Sequence, residues 1–330
     1  MAHVPVASGP EVEIRRPDVQ RVEDDGEVWR GLLAPLPRID PKHFYDDRGS
    51  RLFERITRLP EYYQTRTEEA LLEEVVGEIL DLCRPRELVE LGSGAGRKIR
   101  LLLAGMRDRG LLDECTLLEI NETFLTASAE RLAEEFPGLE VVGVVGDFHR
   151  DLVALGPGGA RLILFLAGTF GNLEPPQRTD FLAALSGIMA ANDRALIGLD
   201  LVKDRARLEA AYNDAAGVTA EFNRNCLRVL NARYDTDFEP DGFEHVAFWN
   251  EAEEWIEMRL RATAATEVRL GDTGRTLRLA EGEEIRTELS CKFTRPSFQR
   301  VLAGTGLGLE RWLTDPDELF ALAVVQRSCA

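Results

Sequence analysis

The sequence predicts an α/β protein with a doubly wound, largely parallel sheet, interrupted late in the chain by an α+β insertion. Three observations lead there. From about residue 67 to residue 200, short continuously apolar runs alternate with helical stretches, the pattern of strands buried on both faces. The first of those runs ends in a glycine-rich turn. After Asp200 the alternation stops, and strands of near period-2 character take over before a closing helix and hairpin.

The elements follow in order. "LPEYYQTRTEEALL" (59–72) sets Thr65 and Glu68 at capping-box spacing, so a helix is expected over about 67–82, with Tyr62 and Tyr63 just ahead of it. "ELVELG" (87–92) reads as a strand and is followed by a helix near 97–109. "TLLEI" (116–120), a helix over 122–135 and "LEVVGVVGD" (139–147) continue the alternation. "RLILFLAGT" (161–169) and "RALIGLD" (194–200) are further strands, with a helix near 176–190 between them. Residues 201–232 read as helical, and "FEHVAFWN", "WIEMRLRATA" and "RTELSCKF" read as an antiparallel sheet. "RPSFQRVLAGTG" is a helix, and "LGLERWLTD" with "FALAVVQ" form a hairpin that completes the interrupted sheet. The chain therefore divides into a core of residues 67–200 plus 291–330 and a second lobe of residues 13–66 plus 201–290. Residues 1–12 are expected to be disordered.

Composition narrows the function. At 330 residues the chain is long for one core, and its 44% apolar and 30% charged content is that of a globular protein. A formal net charge of −18 argues against a nucleic-acid partner, which requires a cationic surface. No apolar run approaches the length of a membrane span, and the N-terminal stretch has no hydrophobic signal core. The five cysteines, Cys83, Cys115, Cys226, Cys291 and Cys329, are scattered without CxxC spacing. Neither a disulfide framework nor a metal site is expected, and a cytoplasmic location follows.

"ELVELGSGAGRK" carries Glu90, Gly92, Gly94 and Gly96 at alternate positions. The glycines permit a tight turn and a close approach of ligand to backbone. Glu119 ends the second strand, where a carboxylate can grip ribose hydroxyls. Asp147 and Phe148 end the third, where a carboxylate and a ring can bind and cover an adenine. Nicotinamide binders favour G-x-G-x-x-G. Here the third glycine comes one residue early and an acidic residue precedes the run, which resembles the turn of S-adenosylmethionine-dependent methyltransferases.

From about residue 40 onward the chain resembles one family, the histidine-specific N-alpha-methyltransferases of ergothioneine biosynthesis. The stretches that carry the likeness are "HFYDDRGSRLFERITRLPEYYQTRTE", "LVELGSGAGRK", "FLAGTFGNLEP", "LVKD", "AYNDAAGVTAEFNRN", "FEHVAFWN", "IEMRLRA" and "ELSCKF". The resemblance implies a Rossmann-like class I methyltransferase core with an inserted substrate-binding lobe. It implies trimethylation of the α-amine of free L-histidine to hercynine, with S-adenosylmethionine as donor and no metal. It assigns Asn172 and Tyr212 to the substrate carboxylate and Tyr45 to the neighbourhood of the amine. Glu288 and Ser290 would receive the imidazole, with Tyr62 beside it through water, and Met258 would line the side-chain pocket. Gly92, Gly94, Lys98, Glu119, Asp147 and Phe148 would hold the cofactor. The chain departs from the family pattern at Glu119, where Asp is more usual, and at "AGTFGN" (167–172) just ahead of Asn172.

The residues suit that chemistry. Methyl transfer from a sulfonium needs a neutral amine held in line, so positioning and desolvation matter more than a strong base. Tyr45 and Asn172 would orient the amine. Glu288 and Ser290 are i and i+2 on an expected strand and share a face, offering an acceptor and a hydroxyl to the two imidazole nitrogens. An indole has one donor and no acceptor, which weighs against a related enzyme for another aromatic amino acid. The intact glycine, Glu119 and Asp147 set weighs against a non-catalytic binding protein. Tyr63 is expected to pack or at most to wall the cleft, and the chain is expected to act as a monomer.

Overall fold

Eight strands form one sheet in the computed structural model, which describes residues 12–16, 25–92 and 96–328. In chain order they are β1 (Val12–Arg15), β2 (Glu87–Leu91), β3 (Glu114–Glu119), β4 (Glu140–Val145), β5 (Arg161–Phe165) and β6 (Arg194–Asp200), then β12 (Leu307–Thr314) and β13 (Phe320–Arg327) after an intervening lobe. Their spatial order is β1-β4-β3-β2-β5-β6-β13-β12. The first six run parallel. The last two are antiparallel, β13 closing against β6 and β12 against β13.

The apolar runs are continuous because both faces are covered. Successive residues point to opposite sides of a strand. Leu88, Leu162 and Leu164 accordingly join Leu72, Leu80, Ile99, Leu103 and Leu132 from α3 (Gln64–Cys83), α4 (Arg97–Asp108) and α5 (Glu122–Glu135). Val89, Ile163 and Phe165 join Phe181, Leu185, Phe298 and Leu302 from α6 (Pro175–Ile188) and α9 (Arg295–Leu302) on the other face. From β2 the chain goes to β3 on one side and later to β5 on the other. The crevice at the carboxyl ends of β2 and β5 is therefore the switch point at which such sheets bind ligands.

The second lobe has its own core. It contains α1 (Asp25–Leu32), α2 (Asp47–Ile56), α7 (Arg205–Ala210) and α8 (Val218–Tyr234). A three-stranded sheet joins them, with β8 (Trp255–Ala262) between β7 (Phe243–Asn250) and β11 (Glu284–Cys291). A hairpin of β9 (Thr266–Arg269) and β10 (Thr276–Leu279) completes it. Leu32, Phe44, Leu52, Phe222, Leu227 and Leu260 are among its buried residues. No helix among the described residues is long and apolar enough to cross a membrane.

Three expectations change. Val12–Arg15 lies in the core sheet, not the second lobe, because it covers the edge that β4 would otherwise expose; residues 1–11 lie outside the described residues. The β9–β10 hairpin had no counterpart in the sequence reading. The capping box is absent: α3 begins at Gln64, its cap Tyr63 has helical angles and no side-chain cap bond, and Glu68 is fully buried. A cap needs an extended residue, and Glu68 is engaged by tertiary partners described below.

The lobes meet at the ends of β6 and β11. Phe293 N–H donates to the Asp200 carbonyl (2.9 Å) and Val202 N–H to the Phe293 carbonyl (3.0 Å), so the chain leaves and re-enters the core at one place. Gly171, in the turn after β5, packs directly on the end of β11: a Cβ there would lie 2.8 Å from the Cys291 carbonyl oxygen. Gly171→Ala is predicted to destabilise the protein by about 1–3 kcal/mol, because backbone on backbone cannot yield as side chains do. Chemical denaturation measures this, and an unchanged midpoint would mean that the contact relaxes freely.

Candidate active site

The ends of three adjacent parallel strands form one wall. Gly92 follows β2 in the left-handed region (φ 74°), and a Cβ there would come 4.0 Å from the Phe148 ring. Gly96, also left-handed at φ 70°, caps α4; Gly94 lies outside the described residues. Glu119 ends β3, and its Oε1 accepts from Asn121 N–H (3.0 Å). Burial raises its pKa, against the pull of the Asn121 and Ile120 N–H groups. Asp147 follows β4: its Oδ1 accepts from His149 N–H (2.9 Å), and its own N–H donates to Asp151 (2.8 Å). Phe148 is held edge-on against Phe165 at 5.1 Å between ring centres.

Two carboxylates support this wall. The Lys98 ammonium pairs with Glu68, so the partner that Lys98 meets in the protein is internal. The same Glu68 accepts from Ala167 N–H (2.8 and 3.0 Å), which holds Ala167 at φ 63°. That conformation costs a non-glycine residue about 1–2 kcal/mol, and it shapes the turn of the "AGTFGN" departure. Glu90 is 7% exposed, and its Oε2 has no hydrogen-bond partner. Its carboxyl is pushed up to about 7, by burial first, with Lys98 pulling down and Glu119 pushing up.

The opposite wall comes from the second lobe and the turn after β5. Asn172 and Glu288 line one open pocket whose other walls include Glu27, Arg38, Lys42 and Arg286; Tyr45, Tyr62, Tyr212 and Ser290 are not in its lining. Tyr45 is 46% exposed, with its ring against Phe53 and Phe222. Its phenol is pushed above the ordinary tyrosine range, by burial first and then by Glu288 and Tyr212. Tyr62 is half-buried and raised likewise, by burial and then by Tyr212, Tyr45 and Glu288, so these four groups lie near one another. The rings of Tyr45 and Tyr62 both abut Phe53 (5.7 and 6.2 Å). Met258, 2% exposed, lies directly opposite Glu288 in the ladder as a member of the lobe core, and the pocket that Glu288 lines does not include it. A bulge falls between Arg286 and Glu288, ahead of the site pair, so Glu288 and Ser290 keep a common face. Among the described residues no group hydrogen-bonds the Glu288 carboxylate. Burial pushes it up to about 7, with Lys292 opposing.

A buried ionic network behind this wall went unread in the sequence. The Tyr63 hydroxyl lies 2.9 and 3.0 Å from the Asp200 carboxylate oxygens and accepts from Lys203 Nζ (2.7 Å). Lys292 Nζ reaches Asp200 (2.7 Å), the Tyr212 hydroxyl (3.0 Å) and Ser290 Oγ (2.9 Å). The Tyr212 hydroxyl donates to Ser290 Oγ (2.8 Å). Burial would raise the Asp200 pKa, but Lys292 and Lys203 lower it on balance. Burial also works against charge on Lys292, and Asp200 and Tyr212 more than offset it. Lys203 is the weaker partner, pushed down by burial to about 8. Tyr63 is thus a hydrogen-bonding member of the junction and more than a packing residue. Two sequence signals pointed here: Asp200 ends a parallel strand at the ligand edge, and Lys292 is two residues beyond Ser290.

Comparison with known proteins gives a consistent picture. Residues 24–327 match a family model described as histidine-specific methyltransferase, SAM-dependent. Histidine N-alpha-methyltransferase of Mycobacterium tuberculosis is 46% identical over 301 residues, 91% of this chain and 94% of that protein. The protein of the same name from Mycolicibacterium smegmatis is 45% identical over the same shares of the two chains. Ergothioneine biosynthesis protein 1 of Neurospora crassa is 34% identical over 195 residues, 57% of this chain and 22% of the fungal protein.

Glu288 sets a stability–pH prediction. Its pKa rises from an ordinary 4.5 to about 7 on folding, so between those values the folded state binds more protons than the unfolded state. Its contribution to stability therefore falls as pH rises through that window and stays low above it. Glu288→Gln removes the term. Without ligands, the variant should melt a few degrees above the wild type at pH 8, with the gap closing near pH 4.5. An equal gap at both pH values would remove Glu288 as the cause.

Proposed function

The chain belongs to the S-adenosylmethionine-dependent, histidine-specific methyltransferases, and on that premise we propose how its cleft works and what it makes. It transfers methyl groups from S-adenosylmethionine to the α-amine of L-histidine. The observation that carries the substrate reading is Glu288 with Ser290 on one face of β11: an unpartnered carboxylate and a buried hydroxyl, set to meet the two imidazole nitrogens. A pocket with such groups rejects leucine or phenylalanine because its polar atoms would be left unpaired.

The residues at the ends of β2 to β4 suit the cofactor. Glu119 offers its carboxylate at the end of β3 for ribose hydroxyls. Asp147 and Phe148 suit an adenine, and Gly92 and Gly94 admit the ligand to the backbone. The unpartnered Glu90 oxygen suits a cationic or N–H group. Lys98 acts by way of Glu68 in shaping this end. When bound, the cofactor supplies a methyl group made electrophilic by its sulfonium.

The protein's part is to hold histidine. Asn172 grips the carboxylate with the Tyr212 hydroxyl alongside, Tyr45 and Asn172 orient the amine, and Tyr62 reaches the imidazole end through water, with Met258 as the wall. The raised phenols of Tyr45 and Tyr62 remain protonated, so they orient and do not act as bases. The amine loses its proton to water at the exposed mouth beside Tyr45 before each round. Three rounds give hercynine. The working unit is one chain, and the setting is the cytoplasm, where its described free thiols stay reduced.

Labelled S-adenosylmethionine offered with each amino acid in turn, with mass analysis of the product, tests this. Label on histidine with three added methyl groups is expected; label on tryptophan and not on histidine would overturn the substrate. Glu288→Ala should raise the KM for histidine about 10- to 100-fold, the loss of a hydrogen bond to a charged group, with cofactor affinity unchanged. Asp147→Ala should weaken cofactor binding about tenfold, and full retention would remove Asp147 from the adenine site. Light scattering at one chain mass supports the monomer, and a dimer mass would overturn it.

A further inference from the structure

The turn that carries Tyr212 is held from behind by a chain of hydrogen bonds in which each proton has one place. Asn223, on α8, is 0% exposed. Its Nδ2 lies 2.8 Å from His245 Nδ1 and 3.0 Å from the Arg259 carbonyl oxygen, and its Oδ1 accepts from the Thr287 hydroxyl (2.6 Å). A carbonyl only accepts, so the atom facing Arg259 is the amide nitrogen; a flipped amide would set oxygen against oxygen. The second amide N–H then meets His245 Nδ1, which accepts. The other ring nitrogen, Nε2, lies 2.8 Å from the Tyr212 carbonyl oxygen and donates to it. Both ends of the ring therefore demand one neutral tautomer, with the proton on Nε2, and an imidazolium would turn an N–H against the amide N–H of Asn223. Burial lowers the His245 pKa, with the Tyr212 carbonyl pulling up, Arg224 pushing down, and Asp214 and Glu244 pulling up, which agrees with a neutral ring.

We infer that His245 is a positioning residue for the amino-acid substrate: Asn223 fixes its ring with the proton on Nε2, and that proton fixes the main chain from which the Tyr212 side chain reaches the substrate. The inference rests on the place proposed above for Tyr212 beside the substrate carboxylate. Tyr212 needs such a tie, because it follows α7, a helix of six residues with Leu208 as its buried side chain, too short to be stable by itself. The tie runs to firm ground: His245 lies on β7, and Val246 beside it pairs with Arg259 on β8, whose carbonyl orients Asn223. The exposed Asn213 bonds the same turn to the Ala247 carbonyl (3.0 Å), where water competes; the His245 bond is the more sheltered of the two. At its other end the Asn223 amide steadies Thr287, the residue before Glu288, so one side chain references both segments that carry substrate groups.

Three substitutions separate the two bonds of the ring. A glutamine amide can set an N–H where Nε2 stood, whereas an asparagine amide reaches only the place of Nδ1. His245→Ala and His245→Asn should each raise the KM for histidine about tenfold, and His245→Gln by less than about threefold, with affinity for S-adenosylhomocysteine within about twofold of wild type in all three. A merely structural role would not separate Gln from Asn and would weaken the cofactor product along with histidine. Equal KM values in the Gln and Asn variants, or a parallel loss of S-adenosylhomocysteine affinity, would overturn the inference. Nitrogen NMR of the wild-type protein labelled in its histidine rings and asparagine amides supplies the second test. A pyridine-like Nδ1 coupled across its hydrogen bond to an asparagine amide nitrogen is expected, with a pyrrole-like Nε2 whose signal shifts when L-histidine is added. A proton on Nδ1, or an Nε2 signal indifferent to L-histidine, would overturn the inference even if none of the variants folds. Wild-type protein that methylates tryptophan and not histidine would instead remove the substrate reading, a result separate from the tautomer of His245.

Discussion

Asp200 and Lys292 meet 2.7 Å apart at 4% and 0% side-chain exposure, and both lobes are organised around that meeting. Asp200 is the last residue of a core strand, and Lys292 lies just beyond the last strand of the second lobe. Desolvating two such charges costs several kcal/mol each, and all three N–H donors of Lys292 are engaged in compensation. Tyr63 and Lys203 complete the Asp200 side, and Tyr212 and Ser290 complete the Lys292 side. Removing one charge alone would strand the other, at about 3–5 kcal/mol. The same bonds that join the lobes also orient the hydroxyls of Tyr212 and Ser290, which the proposed function turns to the substrate.

The glycine turn, Glu119 and Asp147 belong to the core, while Tyr45, Tyr62, Tyr212, Met258, Glu288 and Ser290 belong to the lobe. Asn172 stands between them on the turn after β5, pressed against the end of β11 through Gly171. On the proposed assignment the donor and acceptor of a methyl group are held by separate bodies, which meet through backbone packing at Gly171 and through the buried ion pair. Neither contact involves a flexible surface side chain, which suits a reaction that depends on alignment more than on acid–base strength.

Much of this was legible in the sequence for a physical reason. Parallel strands covered on both faces leave unbroken apolar runs, so β2 to β6 stand out. Glu288 and Ser290 were singled out by the family resemblance, and the strand period of two adds only that they share one face. β1 was not legible, since four residues carry too little pattern and its pairing with β4 is a tertiary choice. The β9–β10 hairpin hides its buried Val268, Leu270, Leu277 and Leu279 among many charged residues. Tyr63 and Asp200 are 137 positions apart, and no local periodicity encodes that bond. Glu68 shows the opposite failure: its spacing from Thr65 satisfied a local rule, and burial against Lys98 and Ala167 overrode it.

The stitched ends of the insertion bear on how such a protein can diversify. Leu201 and Phe293 pair as a bridge, so about ninety residues leave the core and return through one small gate. To the core those residues are a single closed loop, and the entropy of closing a loop grows only slowly with its length. A different module could occupy that gate without disturbing the sheet, provided it brought back a cation for Asp200 and an apolar face for α1 and α2. The core would keep its methyl donor while the acceptor changed, and evolution could trade amino acids for other amines by exchanging a cassette.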